Sequence, residues 1–228
     1  MHIPDGFLST ETAIGACAVS AGVVGVAVVR AKRSLDERRS MLMGVSAAFI
    51  FAAQMLNFPV AGGTSGHLLG GALAAILLGP WIGVLVITAV LIVQALLFQD
   101  GGLLALGANV LNMAVIGVFV GWMIYRVSLA VAGLGSRRGE RGERWATIIG
   151  GFIAGWFSVV IASAAAAGEL AISGTLPLSV ALPAMTVVHL VIGAGEGVIT
   201  VAVLLFLGAV RPDLLHFSHH LTPSEGTS

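Results

Sequence analysis

The chain is poor in charged residues, cysteine and aromatic residues, and these shortages exclude several classes of protein. Only 10% of its 228 residues are charged, whereas roughly a quarter are in a soluble domain. An ordinary soluble fold is therefore excluded, and the 57% hydrophobic content excludes a disordered chain. The single cysteine, Cys17, excludes a disulfide or zinc-finger framework. A net charge of zero gives no case for a nucleic-acid partner.

The chain is rich in long apolar runs and in glycine. A helix needs roughly 20 residues to cross the hydrocarbon core of a bilayer, and seven runs approach that length. The 31 glycines suit helices that pack closely in lipid. We therefore predict an all-α, polytopic membrane protein with a single integral membrane domain. The predicted parts are a tail at 1–9, helices at about 10–30, 40–57, 64–79, 81–98, 103–126, 145–169 and 183–210, and a cytoplasmic tail at 211–228.

The basic residues predict the orientation of these helices. With seven spans, all eleven lysines and arginines fall on one side of the membrane. The positive-inside rule makes that side cytoplasmic, so we expect the N-terminus outside and the C-terminus inside. The charged run Arg137–Arg144 fits a solvated loop near anionic lipid headgroups.

The outer side carries polar side chains but no positive charge. They come from the N-terminal tail and from the outer ends of spans two to five. Singly, most would be ordinary interfacial groups, but their convergence predicts a site for a cation approached from outside. These residues are His2, Asp5, Glu11, Gln54, Asn57, Thr64, Ser65, His67, Gln99, Asp100, Asn109 and Asn112, with Gln94 about one turn deeper.

The dipeptide Met1-His2 is the most informative pair in the chain. The amine of Met1 and the backbone and near imidazole nitrogens of His2 can chelate one metal in a five-membered and a six-membered ring. A fourth nitrogen from His67 would complete a square, which suits Ni(II) or Cu(II) and less readily Co(II). The turn predicted at Ile3–Gly6 would fold the tail back into the bundle. A structural histidine at a helix interface remains the alternative for His67.

Several segments resemble one known family in the right order over nearly the whole chain. The opening Met1–Leu8 is similar to that of the nickel/cobalt substrate-capture subunits, or S-components, of energy-coupling-factor transporters. Later segments of this chain are similar to further signatures of the family. They are Pro59–His67, Phe98–Gly102, Gly107–Met113 and the pattern of His189, Gly193 and Glu196-Gly197.

This resemblance implies a fold, a ligand set and a location. It implies a seven-helix S-component with one N-terminal helix more than the vitamin-binding members, in a prokaryotic inner membrane. It also implies that the tail inserts into the bundle and that Met1, His2 and His67 bind the metal. The transported substrate would be Ni(II) or Co(II), and the sequence does not decide between them. As residues that orient these ligands we name Asn57, Thr64, Ser65 and Asn109.

The resemblance further implies partner proteins. These are a transmembrane coupling subunit, a pair of cytoplasmic ATPases and often a small accessory membrane subunit. The chain itself lacks a Walker A motif, so we predict no ATP site and no enzymatic activity in it. Ala48 and Ala52 share one face of the second helix and are candidates for docking on the coupling subunit, with internal packing as the alternative.

Other polar groups leave alternatives open. Glu196 is interpreted as a protonated or hydrogen-bonded structural acid, although a second metal station or a proton partner would also explain it and His189. The cluster of His216, His219 and His220 is interpreted as part of a solvated tail. Two other functions compete with the capture subunit. One is an independent, gradient-driven metal carrier, and the other is an intramembrane metal-dependent enzyme using Asp5 or Asp100 as a base.

Overall fold

The computed structural model describes residues 1–60, 64–134 and 140–215, and these are mainly helical. The helices are α1 (Thr10–Ala31), α2 (Glu37–Gln54), α3 (Gly71–Leu78), α4 (Pro80–Val93), α5 (Leu106–Asn109), α6 (Val118–Leu134), α7 (Glu140–Ile172) and α8 (Leu178–Val210). Two π-helical stretches, Gln94–Phe98 and Val110–Gly117, continue α4 and α5. A short 3-10 turn, Pro212–Leu214, follows α8. The helical architecture is therefore the one that the apolar runs predict.

Five helical segments in the described part are long and apolar enough to cross a membrane. They are Thr10–Ala31, Pro80–Phe98, Leu106–Val131, Arg144–Ile172 and Leu178–Val210. Large apolar side chains such as Ile14 and Val45 are exposed on the surface, at 64% and 67%. Exposed apolar faces of this extent fit contact with lipid. The chain is thus a multi-pass membrane protein.

The segment predicted as the third helix has a different structure. The strands β1 (Phe58–Val60) and β2 (Thr64–Gly66) pair antiparallel, with Phe58 opposite Gly66. The chain then runs without regular structure to Gly70, and α3 contains only eight residues, all of them buried. Irregular backbone is tolerated at membrane depth where protein surrounds it. The predicted helix at 64–79 is therefore only half helical.

Glycines bring α7 and α8 into close contact. A Cβ atom on Gly155 would lie 3.0 Å from the Cα atom of Gly197, and one on Gly193 would lie 2.8 Å from the carbonyl oxygen of Trp156. Such distances leave no room for a larger side chain. The spacing of small residues at 151 and 155 and at 193 and 197 therefore serves helix packing, as its pattern indicates.

Three arginines make ionic or aromatic contacts at one end of the bundle. The Arg30 guanidinium lies 4.8 Å from the centre of the Trp81 ring, which joins the end of α1 to the start of α4. Asp213, after α8, pairs with Arg38 at the start of α2 and with Arg211. At the opposite end, the hydroxyl of Thr175, between α7 and α8, donates to the carbonyl of Phe7. The N-terminal tail therefore lies at the end away from these arginines.

Candidate metal centre

The chain's first residues lie inside the bundle. Met1 and Ile3 are 0% exposed and His2 is 4% exposed, whereas chain termini are usually solvated and poorly ordered. A buried terminus must bury its amine and its peptide groups with it, which is costly unless they find partners. The contacts of the tail explain how this cost is offset.

The side-chain amide of Asn109, at the end of α5, forms two hydrogen bonds with the backbone of the tail. The Ile3 N–H donates to Asn109 Oδ1 at 2.8 Å, and Asn109 Nδ2 donates to the Ile3 carbonyl at 3.1 Å. The Gly102 N–H donates to the same carbonyl at 3.0 Å. Both peptide groups of Ile3 are thus satisfied inside the bundle, and Asn109 holds the residue that follows His2.

Asp5 fixes the outer part of the tail. Its carboxylate accepts N–H groups from Leu103, Leu104 and Ala105 at 3.1, 2.8 and 3.3 Å. These N–H groups precede α5 and have no earlier helical turn to bind. The chain turns at Gly6, whose φ of +85° is favourable for glycine. The turn predicted at Ile3–Gly6 thus folds the tail inward.

Two glycines of the loop before α5 let the tail pass. A Cβ atom on Gly101 would lie 3.1 Å from His2 Cδ2, and the φ of Gly101 is +96°. A Cβ atom on Gly102 would overlap the carboxylate of Asp5. Any side chain on Gly102 would therefore displace the tail, which explains the glycine pair in the Phe98–Gly102 segment.

The tail brings the His2 ring onto the ring of His67. The two imidazoles are stacked, with centroids 4.5 Å apart and planes inclined by 26°. His67 is fully buried, and its Nδ1 lies 2.7 Å from the carbonyl of Leu68. Because a carbonyl can only accept, Nδ1 carries the proton and Nε2 of the neutral ring keeps its lone pair. That Nε2 is buried without a hydrogen-bond partner among the described residues.

Asp100 lies beside His2 on the other side. Its Oδ1 is 3.0 Å from His2 Nδ1. Burial raises the pKa of Asp100, but the hydrogen bond and charge of His2, the Met1 amine and Asn57 outweigh this effect and lower it overall. The sequence placed Asp100 with His2 among the polar residues of the outer side and also as a possible base, but it did not pair the two side chains. The signal available was the position of Asp100 directly after a predicted helix, at the same outer side as the tail.

Burial favours the unprotonated forms of the two titratable nitrogen groups of the tail, the Met1 amine and the His2 imidazole. It lowers the pKa of the Met1 amine well below its usual range, which the charge of Asp100 opposes only in part. The pKa of His2 is lowered by burial against its hydrogen bond with Asp100. The neutral forms, whose lone pairs bind metals, are thereby favoured.

Glu196 of α8 and Gln54 of α2 hold the segment that follows His67. The Glu196 carboxylate accepts the N–H groups of Leu69 and Gly70 at 2.5 and 2.7 Å. Gln54 Nε2 donates to the carbonyl of Leu69 at 2.6 Å. Glu196 is therefore hydrogen-bonded to the backbone, as its interpretation as a hydrogen-bonded acid expects.

His189 is a further buried imidazole of α8. Its Nδ1 lies 2.7 Å from the carbonyl of Met185, which leaves the lone pair on Nε2. The described residues contain no group of three or more His, Cys, Asp or Glu side chains arranged to hold a metal. The chelate predicted at the tail differs from such a group because it uses main-chain nitrogens.

The remaining sequence predictions fall on other parts of the molecule. Ala48 and Ala52 are both exposed on α2. The side chains of Thr64 and Ser65 lie outside the described part of the structure, and so do His216, His219 and His220. Nothing observed bears on their predicted roles.

Comparison with known proteins gives the family. The family model described as "Cobalt uptake substrate-specific transmembrane region", CbiM, matches residues 2–214. The chain belongs to the CbiM family. It is 43% identical over 217 residues to a putative fused nickel transport protein NikMN of Archaeoglobus fulgidus, covering 94% of this chain and 68% of that protein. It is 33% identical to the cobalt transport protein CbiM of Geobacter sulfurreducens, covering 94% of this chain and 61% of that protein.

A solved structure supports the same assignment to the CbiM family. A crystal structure of a transition metal transporter matches with a TM-score of 0.81 and 37% identity, covering 98% of this chain and all of that one. These relatives are thus named as metal transport proteins. Membership of the CbiM family confirms the resemblance inferred from the opening octet and the later segments.

Proposed function

We propose that this chain is the substrate-capture subunit of an energy-coupling-factor importer for nickel or cobalt ions. It binds one divalent ion on the outer side through the Met1 amine, the backbone and imidazole nitrogens of His2, and the imidazole of His67. The observation that carries this proposal is the burial of the first three residues with the His2 ring stacked on the His67 ring.

The nitrogen set explains the preference for these ions. A chelate of amine, deprotonated amide and imidazole places three nitrogens near one plane, and His67 Nε2 supplies the fourth. Four nitrogens in a square suit Ni(II), whereas zinc prefers a tetrahedron. Because His2 Nδ1 faces Asp100 at 3.0 Å, the ion replaces that contact when it binds. The nearby carboxylate then balances part of the charge of the ion.

The orientation that we propose places the N-terminus outside and the C-terminus in the cytoplasm. The arginine contacts at Trp81 and Asp213 lie at one end of the bundle and the tail at the other, which is the asymmetry expected from the positive-inside rule. We count seven spans by adding α2 and the segment from β1 to α3 to the five long helices. In this count α1 is the additional N-terminal helix of the family.

Transport requires partner proteins in this proposal. A transmembrane coupling subunit docks on the exposed face of α2 at Ala48 and Ala52, two cytoplasmic ATPases supply energy, and a small accessory membrane subunit completes the complex. The name of the longer Archaeoglobus relative, a fused nickel transport protein, agrees with an additional functional part beside the region that this chain covers. A gradient-driven carrier would instead transport nickel without ATPases, and uptake by proteoliposomes with and without them separates the two.

The ligand set is tested on detergent-purified protein that begins at Met1. We expect one nickel ion per chain by metal analysis and calorimetry. An alanine inserted between Met1 and His2, or acetylation of Met1, removes the terminal chelate and should abolish specific binding. Glu37→Gln, an exposed change in the first turn of α2, serves as the control and should bind normally. Unchanged nickel affinity in the blocked protein would contradict the proposal.

A further inference from the structure

The segment between β2 and α3 has backbone groups that regular structure does not satisfy. Leu69 and Gly70 follow the last strand residue, Gly66, and precede the first helical residue, Gly71. Gly70 has a φ of +74° and provides no side chain to cap α3. In a buried position each unpaired N–H group would be destabilising. The segment therefore depends on partners from other helices.

The side chain of Glu196 supplies the hydrogen-bond acceptors for both N–H groups. Each of its two carboxylate oxygens accepts one N–H group, Oε2 from Leu69 and Oε1 from Gly70. The side chain is 3% exposed, so water does not compete with these bonds. Because both carboxylate oxygens face the N–H groups of Leu69 and Gly70, Glu196 is not arranged as a metal ligand.

Gln54 completes the attachment from the opposite side. It donates to the carbonyl of Leu69, so α2 and α8 hold the same residue. Gly70 is also in tight contact with α2, because a Cβ atom there would lie 2.7 Å from Ile50 Cγ1. Leu69 lies only two positions after His67, and the residue between them, Leu68, carries the carbonyl that fixes the tautomer of the His67 ring. The position of Nε2 thus follows from the position of this segment.

We propose that Glu196 is a positioning residue that sets the fourth nitrogen of the metal site and thereby its selectivity for ions that prefer planar coordination. This inference rests on the proposed function. A functional site must hold its ligands to within about 0.5 Å of the productive geometry. If the His67 ring moves out of the plane of the Met1-His2 chelate, the affinity for nickel falls. The affinity for zinc falls less, because zinc prefers a tetrahedral arrangement.

The test uses Glu196→Gln in the full chain with a native start. The glutamine oxygen accepts one N–H group, but its amide nitrogen is a donor and faces the other. We expect nickel affinity to fall on the order of 10–100-fold, as for other changes behind a metal ligand. Zinc affinity should fall less, so that the nickel-to-zinc selectivity decreases. The visible absorption of the nickel complex should also shift, because the fourth nitrogen is lost or displaced.

Two further variants separate positioning from folding. Glu169→Gln is the matched control, since Glu169 is a partly buried acid of α7 that accepts from Asn112 Nδ2 at 2.6 Å and, among the described residues, has no hydrogen bond to the His67 segment. It should keep the wild-type selectivity and spectrum. Gln54→Met removes the other side-chain bond to Leu69. It should change the nickel-to-zinc selectivity and the absorption spectrum in the same direction as Glu196→Gln. If one of the two variants folds poorly, the other still tests the inference.

The outcomes are distinguishable. If wild-type protein binds nickel and both Glu196→Gln and Gln54→Met keep its selectivity and spectrum, Glu196 does not position His67. An equal loss of nickel and zinc affinity with an unchanged spectrum would also overturn the inference, since it would indicate a purely structural role. If wild-type protein binds no nickel, the proposed function itself fails.

Discussion

The contacts of individual residues show how a chain terminus is held inside this bundle. Asn109 satisfies both peptide groups of Ile3, and Asp5 binds three backbone N–H groups before α5. Each of these bonds replaces water that the tail loses on burial, so each is needed to offset desolvation. The His2 ring is thereby held on the ring of His67, and in the proposed metal site this preorganisation would reduce the ordering cost of binding.

A substitution at Gly102 tests this arrangement directly. In Gly102→Ala the new Cβ atom would overlap the Asp5 carboxylate, and the tail must move to make room. We expect nickel affinity to fall on the order of 10–100-fold, measured by calorimetry. The matched control is Gly22→Ala on α1, where a Cβ atom meets nothing within 4 Å. Equal affinities of the two variants would show that the tail does not depend on this contact.

Residue-level prediction is possible where the chemistry is local. The chelating capacity of Met1-His2 could be proposed from sequence because it is contained in two adjacent residues. The pairing of His2 with Asp100 could not be predicted in this way, because it joins residues almost one hundred positions apart. The same holds for Glu196, whose partners on the His67 segment are backbone groups that carry no sequence signal.

At the scale of whole elements, hydropathy located the helices well except at 64–79, where the segment is surrounded by other helices and not by lipid. The predicted helix at 10–30 is observed as Thr10–Ala31, and the one at 183–210 begins earlier, at Leu178. The failure at 64–79 has a physical reason. A run that is apolar and small satisfies a hydropathy criterion whether it forms a helix or an irregular segment enclosed by other helices. Only contacts such as those of Glu196 and Gln54 distinguish the two cases.

The exposed face of α2 gives a prediction at this scale. Ala48 and Ala52 lie on that face, and small residues allow another helix to approach closely. Ala48→Trp should prevent co-purification of the coupling subunit while leaving nickel binding by the isolated chain unchanged. Ala21→Trp, at an exposed position of α1, is the control and should retain the partner. Normal assembly of the Ala48 variant would place the docking surface elsewhere.

At the scale of the whole molecule, charge and polarity are separated along the bundle axis. The contacts of Arg30, Arg38 and Arg211 lie at the end where α1 and α8 finish. The tail and its acidic neighbours Asp5 and Asp100 lie at the other end. In the orientation that we propose, an external cation would meet carboxylates first, and the basic end would face anionic lipid and the cytoplasm. This separation follows from the sequence once the number of spans is known.

Cysteine labelling in intact cells tests the orientation of the whole molecule. In a Cys17→Ser background, Ser179→Cys lies in the first turn of α8 at the end that holds the tail, and Ser34→Cys lies between α1 and α2 at the arginine-rich end. Both positions are exposed. Because a membrane-impermeant maleimide reaches only the outer face, Ser179→Cys should react in intact cells and Ser34→Cys only after permeabilisation. The reversed pattern would place the metal centre on the cytoplasmic side, where it could not capture an external ion.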